Sequence, residues 1–143
     1  GPNTETVGAG ISEENPVNIM AYRYPVMTVR ADMDADQVYA FMKAMDETYD
    51  MYKGATKVMP RWNLEMSGIP PADAPFHEGA VRYLKEKGIW TDEAEQWNQA
   101  RLARLEALRA AWDETMAEGK DMSEEQYAEL WQKNRTAALA SLK

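Results

Sequence analysis

The chain has 143 residues, 45% of them apolar and 28% charged, with a formal net charge of -8 and no cysteine. A compact domain of this length buries roughly 68–70% of the surface its unfolded chain exposes, so a real core is within reach, and the composition is not that of a disordered or collagen-like chain. The acidic balance disfavours nucleic acid and anionic membranes as partners, and the missing thiols exclude disulfides, thiolate metal sites and a cysteine nucleophile.

The charge is spread evenly, with six basic and ten acidic side chains in residues 1–71 and ten and fourteen in residues 72–143. No run approaches the roughly 18 apolar residues of a membrane span. Gly1-Pro2 has the form of a protease-cleavage remnant, which implies a processed or truncated chain. Residues 1–23 hold Gly8, Gly10, Asn15 and Pro16 and read as loop with one short strand. From Tyr24 to Arg30 the segment YPVMTVR is β-branched and alternating, which predicts a strand over 24–30. Its partner has to come from residues 3–22 or from chain that is missing.

A first helix is predicted over 34–53, with Asp34 as N-cap, Gln37 three residues on and Gly54 as the stop. Val38, Phe41, Met42, Met45, Tyr49 and Tyr52 recur at spacings of three and four, one face that requires burial. Residues 55–75, with Pro60, Gly68, Pro70, Pro71 and Pro75, read as an ordered loop, followed by a short helix over 76–87 closed by Gly88, with Val81 and Leu84 inward. Thr91 then caps a long helix over 91–118 that carries Trp97, Leu105, Leu108, Trp112 and Met116 on one side. Ser123 and Gln126 open a last helix over 123–142, with Tyr127, Leu130, Trp131, Ala138 and Leu142 on one stripe. The short connection predicts an antiparallel hairpin. Two regions are expected, 1–90 and 91–143, with the boundary near Gly88–Thr91.

Candidate chemistry is sparse. Asp32, Asp34 and Asp36 have the spacing of the first EF-hand ligands, but Gln37 stands where that loop needs glycine and Lys43 where it needs glutamate, so strand exit and helix capping account for them. His77 is the only histidine, which rules out an imidazole pair within one chain, and position 81 is Val rather than the second histidine of H-E-x-x-H. The acid pairs Glu13-Glu14, Asp92-Glu93 and Glu124-Glu125 fall in a loop and at helix starts, where solvation and the helix dipole explain them. Neither a nucleophile elbow nor a phosphate-binding glycine loop is present, so no catalytic residue, metal or cofactor is assigned. Tyr22, Tyr24 and Trp62 are groups of the kind that line a cleft and orient a small anion, although core packing is their commoner role.

The stretch PFHEGAVRYLKEKGIW, Pro75 to Trp90, resembles the carboxy-terminal signature of the TAXI family of solute-binding receptors of tripartite ATP-independent periplasmic (TRAP) transporters, through His77, Gly79, Ala80, Arg82, Tyr83, Lys85 and Glu86. The run YPVMTVRADMDADQVYAFMKAMDE, Tyr24 to Glu47, and the opening GAGISEENPV are similar to that family's preceding segments in order and spacing.

The resemblance implies the carboxy-terminal part of a two-lobe α/β receptor that closes on its solute like a hinged clamp, here mainly α with a short β element and a helical hairpin at the C-terminus. It implies a periplasmic protein that takes a small organic anion, a carboxylate, and delivers it to membrane permease subunits. It gives His77, Gly79, Arg82 and Tyr83 a structural role, with Tyr22 and Tyr24 on the cleft side. This segment alone is expected to bind solute weakly or not at all and, where the strand edge and the Val38–Tyr52 face lose their partners, to form a homodimer, swap elements or rearrange into a helical cluster. The rival reading from the residues is a stand-alone helical protein-interaction module.

Overall fold

The structure is a computed structural model of the chain, and it describes residues 2–20 and 26–142. The chain divides into two compact units, 1–31 and 32–143. No helix among the described residues is long and apolar enough to cross a membrane.

The first unit is a β-hairpin. Strands β1 (Pro2–Glu5) and β2 (Val17–Met20) pair antiparallel, with Asn3 opposite Ile19 and Glu5 opposite Val17. The turn formers between them close the hairpin locally. Gly10 takes a φ of 75°, a conformation that favours glycine, and Asn15 Nδ2 donates to its carbonyl over 2.9 Å. The strand expected over 24–30 is not formed where the chain is described, because residues 26–30 lie in no strand. Residues 24 and 25 lie outside the described residues. β-branched alternation forms a strand only against a ladder partner, and residues 26–30 enter no ladder among the described residues.

The second unit contains helices and their connections, with no strand among the described residues. Helix α1 spans Ala35–Glu47, and Asp34 Oδ1 caps it by accepting from the amides of Asp36 and Gln37, each over 3.0 Å. The continuous helix expected over 34–53 is broken at Thr48, after which α2 (Tyr49–Tyr52) adds one turn. The Thr48 hydroxyl donates to the Ala44 carbonyl over 2.7 Å, a local bond that competes with helix propagation. Residues 55–75 are more ordered than a loop. They contain a 3-10 turn (Met59–Trp62) and helix α3 (Leu64–Ser67), capped by Asn63, whose Oδ1 accepts from the Met66 amide over 2.8 Å.

Helix α4 (Glu78–Glu86) ends at Gly88, where φ is 70°. Helix α5 (Asp92–Glu118) starts at Thr91, whose hydroxyl accepts from the Ala94 amide, and α6 (Glu124–Ala140) starts with both halves of the Ser123/Gln126 capping box made. α5 and α6 form an antiparallel hairpin, in which Asn134 Nδ2 donates to Thr115 Oγ1 over 3.1 Å and Trp112 meets the rings of Tyr127 and Trp131 edge-on.

The core gathers Leu64, Val81, Tyr83, Leu84, Trp90 and Ala94, with Tyr39, Met42, Phe76 and Ile89 packed against it. α4 supplies its centre: Val81 and Leu84 point inward as their spacing predicts, and Leu84 is fully buried. The face expected of α1 is only partly covered, since Val38 is buried but Phe41 is not. On α5 the expected inward side is also different. Ala94, Asn98, Ala111 and Thr115 are the buried positions, while Leu105, Trp112 and Met116 stay about half exposed. Small residues let α5 approach its neighbours closely, while of the expected large residues only Trp97, against Phe76, and Leu108 are partly buried.

Candidate functional site

Four residues singled out in the sequence, His77, Gly79, Arg82 and Tyr83, come together where α4 crosses α1. His77 sits at the N-cap of α4 in an extended conformation, and its Nδ1 accepts from the Gly79 amide over 3.1 Å. That bond satisfies a free donor of the first turn in the way Ser or Asp usually does. Gly79 is the point of closest approach. A Cβ added there would stand 2.2 Å from the Ala35 carbonyl oxygen and 2.9 Å from Val38 Cβ, so no other residue lets the two helices touch at this point.

One turn further on, Arg82 donates to Asp36 Oδ1 over 2.7 Å and lies over the Tyr39 ring at 4.4 Å. Tyr83 is almost fully buried, meets Tyr39 edge-on, and donates its hydroxyl to Asp46 Oδ2 over 2.7 Å. At the end of α4, Glu86 accepts from the Tyr39 hydroxyl and Lys87 Nζ reaches Asp46 Oδ2 at 3.0 Å. These partners climb both helices together, from Gly79 and Ala35 to Lys87 and Asp46, so α1 and α4 run in the same direction across the contact.

The electrostatics follow from this geometry. Burial pushes the Asp46 carboxyl up, but the hydrogen bond from Tyr83 and the ammonium of Lys87 together outweigh it and hold Asp46 below the usual aspartate range. Burial, with the Asp46 carboxylate beside it, raises the Tyr83 hydroxyl far above an ordinary tyrosine. Bonding to Glu86 raises Tyr39 as well. Each hydroxyl is therefore a donor, and each carboxylate already has one.

A second polar knot fastens α5 to the end of α4. Glu95 accepts from Gln99, Lys85 and the Trp90 indole, bonds that hold its carboxyl down to about 2. Asn98, 3% exposed, accepts from the Phe76 amide over 2.7 Å and donates to the Phe76 carbonyl, fastening the chain just before α4.

The other sequence candidates do not join this site. Tyr22 and Tyr24 lie outside the described residues, and Trp62 sits partly buried in the 3-10 turn. Asp34 and Asp36 are used as a cap and as the partner of Arg82, and no three His, Asp or Glu side chains converge among the described residues. Sequence reading missed the partnerships of Asp46, Glu95 and Asn98. Asp46 did carry a signal, because it continues the stripe Ala35, Tyr39, Met42 at spacings of four, three and four and so places an acid on the packed face of α1.

The polar groups at this crossing satisfy one another and tie α4 to α1. No curated protein and no solved structure matches the chain to a significant degree. The sequence model of the NMT1-like family does match it, over residues 6–88, a range that contains both helices of the crossing and the His77–Tyr83 motif. That range is more than half of the chain, which therefore belongs to the NMT1-like family, a family of periplasmic solute-binding proteins.

Proposed function

We propose that this chain is part of a periplasmic solute receptor of the TAXI type, which captures a small organic anion, a carboxylate, for a TRAP transporter and presents it to the membrane permease subunits. The observation that carries this reading is the family match over residues 6–88, which coincides with the segments whose motifs resemble TAXI receptors. The role of the α1–α4 crossing is then to stiffen one lobe of the clamp. It is not catalytic, because Asp46, Glu86 and Asp36 are each engaged by a neighbouring donor. Tyr22 and Tyr24 are assigned to the cleft side. The chain on its own binds solute weakly or not at all.

The test is isothermal titration calorimetry of a panel of small mono- and dicarboxylates, alongside amino acids and sugars, against the receptor encoded by the whole gene and against this chain. Micromolar binding of a carboxylate by the former, weakened by Tyr22→Phe or Tyr24→Phe, is the expected result. Binding confined to an uncharged solute would sink the carboxylate assignment, and hydrolysis or turnover of any ligand would sink the non-enzyme reading.

A second reading, a helical protein-interaction module, is favoured by one observation. The α5–α6 hairpin leaves Leu102, Leu105, Trp112 and Met116 between 42% and 51% exposed. A complex with a different protein that forms through those residues, with no effect of any solute, would support it.

A further inference from the structure

Helix α5 carries two packing faces. One is centred on Ala111 and Thr115 and is closed by α6. The other repeats at spacings of four, three, four, three and four through Asn98, Leu102, Leu105, Arg109, Trp112 and Met116. Alternating steps of three and four form the seam of a helix that packs along another helix. The first position of this seam is covered, since Asn98 is 3% exposed and bonded to Phe76. Beyond it the cover is only partial: Leu102, Leu105, Trp112 and Met116 are 42%, 51%, 42% and 49% exposed, the last two resting on one side against α6, where the Tyr127 hydroxyl donates to Met116 Sδ over 2.9 Å. Arg109, in the middle, is exposed, and its side chain makes no hydrogen bond or ion pair with another described residue.

The order of side chains along the seam says what fits it. Read towards the C-terminus it is leucine, arginine, tryptophan, methionine. Laid antiparallel on a second copy, with the two-fold axis between positions 110 and 111, Leu105 meets Met116 of the other copy and Arg109 meets Trp112 of the other copy. Each contact occurs twice. A guanidinium over an indole face is a favourable pair, and a thioether adapts to an aliphatic neighbour. Trp112 has edge-on contacts to Tyr127 and Trp131, at centroid distances of 6.0 and 5.3 Å, which brace the indole while 42% of the residue stays open.

Charge selects the direction. In a parallel pairing Arg109 opposes its own counterpart, two like charges on one seam. In the antiparallel pairing each guanidinium faces an aromatic ring instead, and Glu106 and Asp113, three positions before and four after Arg109, place acids beside both cations. We propose that a second copy of this chain docks antiparallel along the Leu102–Met116 seam of α5, with Arg109 of each copy stacked on Trp112 of the other. The patch is isologous, so it closes at two copies. Four half-exposed apolar side chains per copy make a small interface, and the dimer population rises with concentration across the micromolar range.

The chain has no cysteine, so single-cysteine variants report on this contact without background. The experiment mixes Leu105→Cys with Met116→Cys under mild oxidation and compares the mixture with each variant alone, alongside sedimentation velocity of the unsubstituted chain and of Arg109→Glu over a concentration series. The expected result is cross-linked dimer in the mixture well above either variant alone. Arg109→Glu, which keeps its helical circular dichroism, should weaken association at least tenfold. A strictly monomeric chain at all concentrations overturns the proposal, and would leave the seam to a different protein. Equal cross-linking by Leu105→Cys alone overturns the antiparallel register, and undiminished association of Arg109→Glu places the interface elsewhere, such as the open edges of the β-hairpin.

Discussion

The Tyr83 hydroxyl donates to Asp46 Oδ2 over 2.7 Å and joins residues 37 positions apart, making it the polar centre of the α1–α4 contact. Lys87 approaches the same oxygen at 3.0 Å, so one carboxylate holds two groups of α4 at once. A hydrogen bond to a charged acceptor is worth about 1.5–3 kcal/mol, and a buried donor left without a partner costs about 1–3 kcal/mol. Tyr83→Phe should therefore lower stability by about 1–2 kcal/mol. Asp46→Ala should cost more, because it abandons the buried Tyr83 hydroxyl as well as Lys87. Urea unfolding followed by circular dichroism measures both, and an Asp46→Ala variant less affected than Tyr83→Phe would contradict the arrangement.

Gly79 sets the separation of the same two helices. Its α-hydrogen side faces the Ala35 carbonyl so closely that a methyl group would lie at 2.2 Å. Gly79→Ala would raise helix propensity in isolation, yet it should destabilise the protein by about 2–3 kcal/mol by forcing α4 away from α1. A thermal melt that rises instead would mean that the two helices are not in contact at this point.

His77 works as a cap through Nδ1. His77→Asp and His77→Ser supply an oxygen acceptor in its place and should leave stability nearly unchanged, whereas His77→Ala should cost about 1 kcal/mol. Loss of stability that is equal in all three would point to the imidazole ring itself, not to its acceptor atom.

Acid should loosen both polar knots. The folded carboxyls of Asp46 and Glu95 lie below their unfolded values, the latter held at about 2 against an ordinary 4.5. The stability they contribute is complete above the unfolded value and disappears as pH falls through the folded one. For Glu95 that window runs from 4.5 down to about 2. Chemical denaturation at a series of pH values should show stability falling across it. Glu95→Gln should flatten the slope while lowering stability at neutral pH, and an unchanged slope would show that Glu95 is not engaged by Lys85 and Trp90.

The helices were largely legible in the sequence because their ends are written in short-range chemistry. Asp34, Thr91 and the Ser123/Gln126 pair cap within three residues of themselves, and Gly88 stops its helix through one torsion angle. Where a longer-range choice was needed, the local pattern misled. Residues 26–30 have the alternation of a strand and form none, while Val17–Met20 pairs with Pro2–Glu5. Thr48 interrupts a helix whose apolar spacing continues unbroken to Tyr52.

The amino-acid sequence by itself determined the mainly helical class with a short β element, the capped helices, the hairpin of α5 and α6, and the His77–Tyr83 motif. All of these depend on neighbours a few positions apart. Only the tertiary structure decided that α1 and α4 run parallel, that Asp46 is the partner of Tyr83, that Asn98 fastens Phe76, and that the seam from Leu102 to Met116 faces outward. Those outcomes depend on which helix faces meet, and the meeting is set by a close approach at Gly79 that a list of residue types does not contain.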